Sequence, residues 1–212
     1  MRMNKRGVGL SILTVVVIMV SVGIGGTNTS FGNNALVSNT TGNFNTAIGD
    51  DALSGNTTGN QNTAVGDNAL CANTTGSYNT AIGDDVLRGN VTGNYNTAIG
   101  NNALYTNTDG VFNVAVGHNA LYANSTGANN TAVGCKALHS NTNSTFNAAF
   151  GDDALEHNTT GSCNTAVGHG TLCWNTEGKY NSAIGYNALN GNETGTRNVA
   201  VGSAALSNLT KG

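Results

Sequence analysis

The chain reads as an all-β protein, a single-stranded parallel β-solenoid (β-roll) built from 17-residue coils. The first observation behind this is a period. Asn-Thr-Ala-Ile/Val-Gly or a close variant starts at Asn45, Asn62, Asn79, Asn96, Asn113, Asn130, Asn147, Asn164, Asn181 and Asn198, every 17 residues without slippage. A fixed short period free of insertions marks one structural unit stacked on itself. The second is composition. There are 30 Gly and no Pro, only 9% of residues are charged, and apolar residues recur at fixed places among Asn and Thr. A disordered chain this rich in Gly and Asn would carry Pro and charge. The third is local chemistry. Two Gly and several Asn or Thr in each copy would cost a helix several kcal/mol, whereas β-branched residues between glycine corners suit short strands. A half-copy, Gly32 to Leu36, precedes Asn45 in register, so residues 27–212 are expected to form about ten to eleven coils. At ~4.8 Å per coil, ten coils make a rod of ~50 Å.

Residues 1–26 stand apart. Arg2, Lys5 and Arg6 precede an apolar run from Val8 to Ile24, then Gly25-Gly26. A basic start, an apolar run and small residues at the break describe a secretory signal. A signal anchor is the alternative, because the run approaches bilayer-spanning length. A prepilin-like leader processed near Lys5-Arg6-Gly7 is a third. Each places the repeats outside the cytoplasm, extracellular or at the cell surface, with membrane contact only through this segment.

Counting the Asn of Asn-Thr-Ala-Ile-Gly as position 1, the repeat is Asn-Thr-Ala-Ile/Val-Gly-x-x-Ala-Leu-x-x-Asn-Thr-Thr-Gly-x-aromatic. Position 5 is Gly throughout, as in Gly49, Gly66, Gly83, Gly100 and Gly117, and position 15 is Gly except at Ser144. These columns are the expected corners, since Gly turns where other residues strain. Position 9 is always Leu, and Leu53, Leu70, Leu87, Leu104 and Leu121 are assigned to the core together with Ile48, Ile82 and Ile99 of position 4. Burying each such side chain contributes ~1.5–3 kcal/mol. The segment from position 17 to position 4, Tyr78 to Ile82 for example, predicts a strand with positions 2 and 4 on one face and position 3 on the other. Position 3 is Ala from Ala47 to Ala200, which points to close approach by the far wall or by a neighbouring subunit. Positions 6 to 9 predict a second short strand ending in Leu, and positions 10 to 16 a wide turn.

The runs Ala47-Ile48-Gly49, Ala81-Ile82-Gly83, Ala98-Ile99-Gly100 and Ala183-Ile184-Gly185, with their Val counterparts, resemble the repeat of YadA-like heads in trimeric autotransporter adhesins. The resemblance spans Phe31 to Leu206. It implies a left-handed β-roll, three chains side by side, and a surface that binds extracellular matrix, carbohydrate or host molecules. The wide turn is longer than in that family, and neither its stalk nor its membrane anchor is expected after Leu206.

Several columns carry candidate chemistry. Position 12 is an Asn column in which Asn39, Asn56, Asn73, Asn90, Asn124, Asn158 and Asn192 begin Asn-x-Ser/Thr sequons. On an outer turn these are N-glycosylation acceptors. They also suit turn geometry, or amide ladders along a stack. Further sequons start at Asn28, Asn129, Asn143 and Asn208. The pairs Asp50-Asp51, Asp84-Asp85 and Asp152-Asp153 offer calcium-type oxygens, but without a calcium-roll motif they read as solvated turn acids. His118 and His169 share position 6 three coils apart, ~14 Å, and His139 and His157 lie elsewhere, so no metal or acid–base group is expected. Cys71 and Cys173 share position 10 but sit six coils apart, ~29 Å, beyond bridging reach. Free thiols, or a link between chains, are expected of Cys71, Cys135, Cys163 and Cys173. Phe44, Tyr78, Tyr95, Phe112, Phe146 and Tyr180 of position 17 form either a packed edge or a carbohydrate-binding stripe.

A net charge of −3 without a basic stripe excludes a nucleic-acid partner. No irregular copy gathers acids or bases, so neither an enzyme nor a cofactor is expected. Open solenoid ends invite association. The expected function is a structural or adhesive fibre whose partner is itself, as a homotrimer or an end-to-end fibre, with an N-glycosylated filament as a variant. An ice-binding solenoid is the alternative, on the Thr46, Thr63, Thr80 and Thr97 column.

Overall fold

A computed structural model describes residues 26–211. The signal or anchor expected of the N-terminal segment falls outside the described residues, apart from Gly26. Eleven three-residue strands follow one another: β1 (Thr29–Phe31), β2 (Thr46–Ile48), β3 (Thr63–Val65), β4 (Thr80–Ile82), β5 (Thr97–Ile99), β6 (Val114–Val116), β7 (Thr131–Val133), β8 (Ala148–Phe150), β9 (Thr165–Val167), β10 (Ser182–Ile184) and β11 (Val199–Val201). They pair in chain order in one parallel sheet, and the described residues contain no helix. Each residue pairs with the one 17 places on, as Thr46 with Thr63, Ala47 with Ala64 and Ile48 with Val65. The protein is therefore a parallel β-solenoid of 17-residue coils, each named below by its strand. Coil 1 begins at Asn28, earlier than the half-copy at Gly32, because Thr29 N donates to Asn45 O at 2.8 Å.

The strands are shorter than expected, and positions 6 to 9 are a turn rather than a strand. In coil 2, Ala52 N bonds Gly49 O, Ser54 N bonds Asp51 O and Asn56 N bonds Leu53 O, at 3.4, 3.2 and 3.1 Å, closing three overlapping turns. The first two of these turns have their third residue at positive φ, 54° at Asp51 and 50° at Leu53. The conformation repeats at the equivalent Leu of every coil. It costs a side chain ~1–2 kcal/mol, and burying Leu returns ~1.5–3 kcal/mol. Alternating neighbours hold the path: Asp51 N donates back to Asn33 O at 2.8 Å, and Leu53 N forward to Ala69 O at 3.0 Å. Tyr78 of position 17 also has positive φ, 61°, so the strand starts at Thr80, two residues later than expected from the sequence. Position 5 needs Gly outright. Gly49 has φ 133°, and a Cβ there would lie 2.2 Å from Gly66 O in the next coil.

The interior is narrow, and small size decides what enters it. The Ala column of position 3, the small residue at position 8 and the Leu of position 9 are fully buried from coil 2 through coil 10. Leu53, Leu70, Leu87, Leu104 and Leu121 belong to this core. Ile48, Ile82 and Ile99 do not: they are 39, 40 and 38% exposed. The two-residue strand period was read with the correct alternation but the wrong face inward. Position 3 faces the far wall, where only a methyl fits, so the larger branched residues of positions 2 and 4 face out. The invariant Ala thus answers to the far wall of its own coil.

Two asparagine columns complete the interior. At position 12, Asn73 Nδ2 donates to Asn56 Oδ1 of the previous coil at 2.7 Å and to Gly76 O of its own turn at 3.0 Å. At position 1, Asn62 accepts Asn79 N at 3.0 Å on Oδ1 and donates from Nδ2 to Gly76 O at 2.8 Å. The position-15 carbonyl therefore receives both side chains, and a Cβ on Gly76 would lie 2.3 Å from Asn73 Oδ1. Ser144, the single exception, threads its buried hydroxyl into this spine, donating to Asn141 Oδ1 and accepting from Asn147 Nδ2 at 3.0 Å and Asn158 Nδ2 at 3.1 Å. Asn192 ends the position-12 ladder, because Leu209 stands in that column next and leaves Asn192 Oδ1 without a partner.

The inverted strand face makes a paired prediction. Ala98→Val overpacks the interior and should destabilise by ~1–3 kcal/mol, while Ile99→Thr, outside, should cost less than ~1 kcal/mol. Denaturant midpoints of the two variants measure the difference, and the opposite ranking would put the branched column back inside.

Candidate interaction surface

The outer face of the sheet is the most regular surface of the molecule. Positions 2 and 4 point away from the core along all eleven strands, at a ~4.8 Å repeat along the axis and ~7 Å apart within a strand. Position 4 contributes Phe31, Ile48, Val65, Ile82, Ile99, Val116, Val133, Phe150, Val167, Ile184 and Val201, and position 2 mostly Thr. Neither column holds a charged residue in any coil. The acids cluster on the adjoining corner at positions 6 and 7, where Asp50 Oδ1 accepts from Asn33 N and Asp51 Oδ1 from Asn34 Nδ2, both at 3.0 Å. The Asp pairs thus serve the turn and its neighbour coil. The result is an uncharged, half-apolar strip bordered by negative charge.

The position-17 aromatics form a second row. Tyr78 stacks on Tyr95 with centroids 4.8 Å apart, and Tyr95 on Phe112 at 4.9 Å, with interplanar angles of 8° and 4°. Their faces cover one another and their edges meet solvent, so this run is a packed edge with no open ring face between neighbours for a sugar. Phe44, Phe146 and Tyr180 are isolated from it by Gln61, Asn129 and Cys163 in the same column. Tyr180 takes Arg197 over its ring at 5.7 Å.

A third row, positions 10 and 11, gathers the reactive side chains. Tyr105, Tyr122 and His139 stack at 5.1 and 5.2 Å, and His157 stacks on Trp174 at 4.0 Å. Arg88 Nη1 donates to Tyr105 OH at 2.6 Å and its Nε lies 3.3 Å from Asp85, beside a shallow groove of ≈ 370 Å³ lined by Cys71, Tyr105 and Thr106. Two groups here and on the neighbouring corner could hold a metal ion: Asp152, Asp153 and His169, largely exposed, and Glu156, His157 and Cys173, half-buried to buried. The sequence expectation of no such group was wrong in its geometry. It compared His with His and Cys with Cys, whereas Glu156 and Cys173 are 17 apart and hence stacked neighbours.

The sequon column requires a correction too. Asn56, Asn73, Asn90, Asn124, Asn158 and Asn192 are fully buried, with Nδ2 committed to the ladder, and Asn39 is half-buried at its start. A glycan on any of the six removes a ladder donor and cannot fit inside the coil. Asn129, Asn143 and Asn208 are the exposed sequons, and Asn28 is half-buried. The repeat produces Asn-Thr-Thr because the amide goes inward and Thr57 Oγ1 bonds Thr74 O of the next coil at 3.0 Å.

All four cysteines are free thiols. Cys173 is buried, and burial, reinforced by the negative charge of Glu156, pushes its thiol up to about 12. Burial also raises Cys71, and burial with Asp152 raises the exposed Cys135. Burial lowers His139. Comparison of the chain with protein-family models, with curated proteins and with solved structures gave no match.

Thiol chemistry checks this placement. With a thiol-alkylating reagent at neutral pH, Cys135 should react fastest and Cys173 slowest in the folded chain, with all four equalised in denaturant. Peptide mass mapping over time reads the order, and rapid labelling of Cys173 would contradict the packing of position 10.

Proposed function

We propose that this chain is a structural or adhesive fibre protein of the cell exterior that assembles with copies of itself through the outer face of its sheet. The observation that carries the reading is the Thr and Ile/Val strip: half-buried to exposed, apolar in half its columns and uncharged over eleven strands. Monomeric proteins rarely leave a contiguous apolar patch of such extent uncovered, and patches of this kind mark interaction sites. A strip repeating every coil is matched best by the same strip on another copy, whose rows share its spacing. The acidic corner at positions 6 and 7, along one side of the strip, then sets the lateral register by repulsion. Three chains packed side by side, as the resemblance to YadA-like heads implies, is one closed form of that assembly. Location outside the cytoplasm rests on the character of residues 1–26. Binding of matrix or carbohydrate belongs to the outer surface of the finished assembly.

The outward Thr column favours one second reading. Thr46, Thr63, Thr80 and Thr97 lie in register at a ~4.8 Å repeat on the outer face, an array of the kind that orders water into an ice-like layer. Thermal hysteresis of the dilute protein decides for ice binding, and its absence removes that reading.

Assembly is tested by sedimentation of the wild type and of Ile82→Lys with Ile99→Lys. Both positions are exposed, and Lys keeps an aliphatic stem over the sheet, so stability should change by ~1 kcal/mol or less. The wild type should sediment as an oligomer and the double variant as a folded monomer. A wild type that stays monomeric at high concentration, or a variant that assembles equally well, would overturn the proposal.

A further inference from the structure

We infer that Glu156, His157 and Cys173 form a binding site for a zinc-class divalent cation that clips coil 8 to coil 9. Their donor atoms, one from each residue, lie within 4.8 Å of one another. Glu156 Oε2 is 3.7 Å from Cys173 Sγ and 3.8 Å from His157 Nε2. Zinc bonds of ~2.0–2.3 Å at tetrahedral angles put neighbouring ligand atoms ~3.3–3.8 Å apart. Two edges of the triangle therefore already have the dimensions of a coordination shell, and a small rotation of the His157 ring or the Cys173 side chain closes the third.

The donor set and its supports both fit. Thiolate, imidazole and carboxylate together suit zinc and related borderline cations and suit calcium or magnesium poorly. The His157 ring is steadied by Trp174, stacked at 4.0 Å. Glu156 is steered by Lys136, whose Nζ lies 3.4 Å from Oε1 and so holds the other oxygen, Oε2, toward Cys173 and His157. Such outer groups orient first ligands. On binding, the Cys173 proton passes to solvent and thiolate, carboxylate and neutral imidazole surround the ion, with water completing the shell. The two negative charges balance the divalent ion. Glu156 and His157 belong to coil 8 and Cys173 to coil 9, so the ion bridges adjacent coils.

Positions 10 and 11 are also where the repeat tolerates change. Position 10 holds Ser54 and Asn190 in other coils, and position 11 holds Ala72 and Ala123. Cys173→Ser, Glu156→Gln and His157→Ala should therefore fold, which thermal melts without metal verify. The probe is cobalt(II) added to the full chain under a non-thiol reductant, followed by competition with zinc. The wild type should develop thiolate-to-cobalt charge-transfer absorption at one equivalent, zinc should displace it, and zinc should raise the melting temperature. Cys173→Ser should lose the band, and His157→Ala and Glu156→Gln should bind at least ~10-fold more weakly. No charge-transfer band in the wild type overturns the inference. So does binding that Cys173→Ser leaves unchanged, which would place the ion at Asp152, Asp153 and His169.

Discussion

Each coil is closed at a single carbonyl oxygen. The peptide carbonyl of position 15 accepts the side-chain amide of position 1 from across the coil and that of position 12 from three residues back, as Gly76 does with Asn62 at 2.8 Å and Asn73 at 3.0 Å. All of these groups are buried, where an unpaired amide or carbonyl costs ~1–3 kcal/mol. The same Asn side chains reach the coil below, so one set of bonds fixes both the shape of a coil and its stacking. An insertion or deletion would separate the amide from its carbonyl and from the next amide together. That is the physical reason the period holds at 17 residues from Asn45 onward.

Other invariant columns follow from that closure. The coil is too narrow for a branched strand residue on its inner side, so position 3 is Ala. Turning the chain back toward the carbonyl demands positive φ at alternate residues, among them a Leu near 50° in each coil. Only a side chain whose burial outweighs that strain can hold the place, and Leu does. Gly at position 15 follows from the carbonyl itself, since a Cβ there would press on the Asn amide. Ser144 shows the one tolerated alternative, a side chain that joins the hydrogen-bond network rather than displacing it. The widest variation lies at positions 6, 7, 10, 11, 14, 16 and 17, on or near the outer surface, and the chemistry that distinguishes one coil from another collects there.

The period made the solenoid legible, and the Gly and Leu columns marked corners and core. The strand's inner face was not legible from residue type. β-branched Ile and Val at position 4 suit the inside of most sheets, and only the diameter of this coil, a tertiary property, excludes them. The sequons misled for a related reason: Asn-Thr-Thr is also the signature of an inward amide followed by hydroxyls that bond the neighbouring coil, and sequence alone does not state the direction of a side chain. The group at Glu156, His157 and Cys173 was within reach of the register, since adding 17 to Glu156 gives Cys173. His157 then needed the structure, because adjacency of positions 10 and 11 on a turn depends on its backbone angles. The outer strip became visible as a surface only once its columns were known to face out.

The buried amide ladder is the claim on which the account stands, and side-chain amide hydrogen exchange tests it directly. Residue-resolved NMR of the Nδ2 protons should show Asn62, Asn73, Asn79 and Asn90 strongly protected, while Asn94, whose Nδ2 bonds only Thr92 O on the exposed turn, exchanges quickly. Exchange of the first four as fast as Asn94 would mean that the ladder is not formed, and with it the closure of the coil.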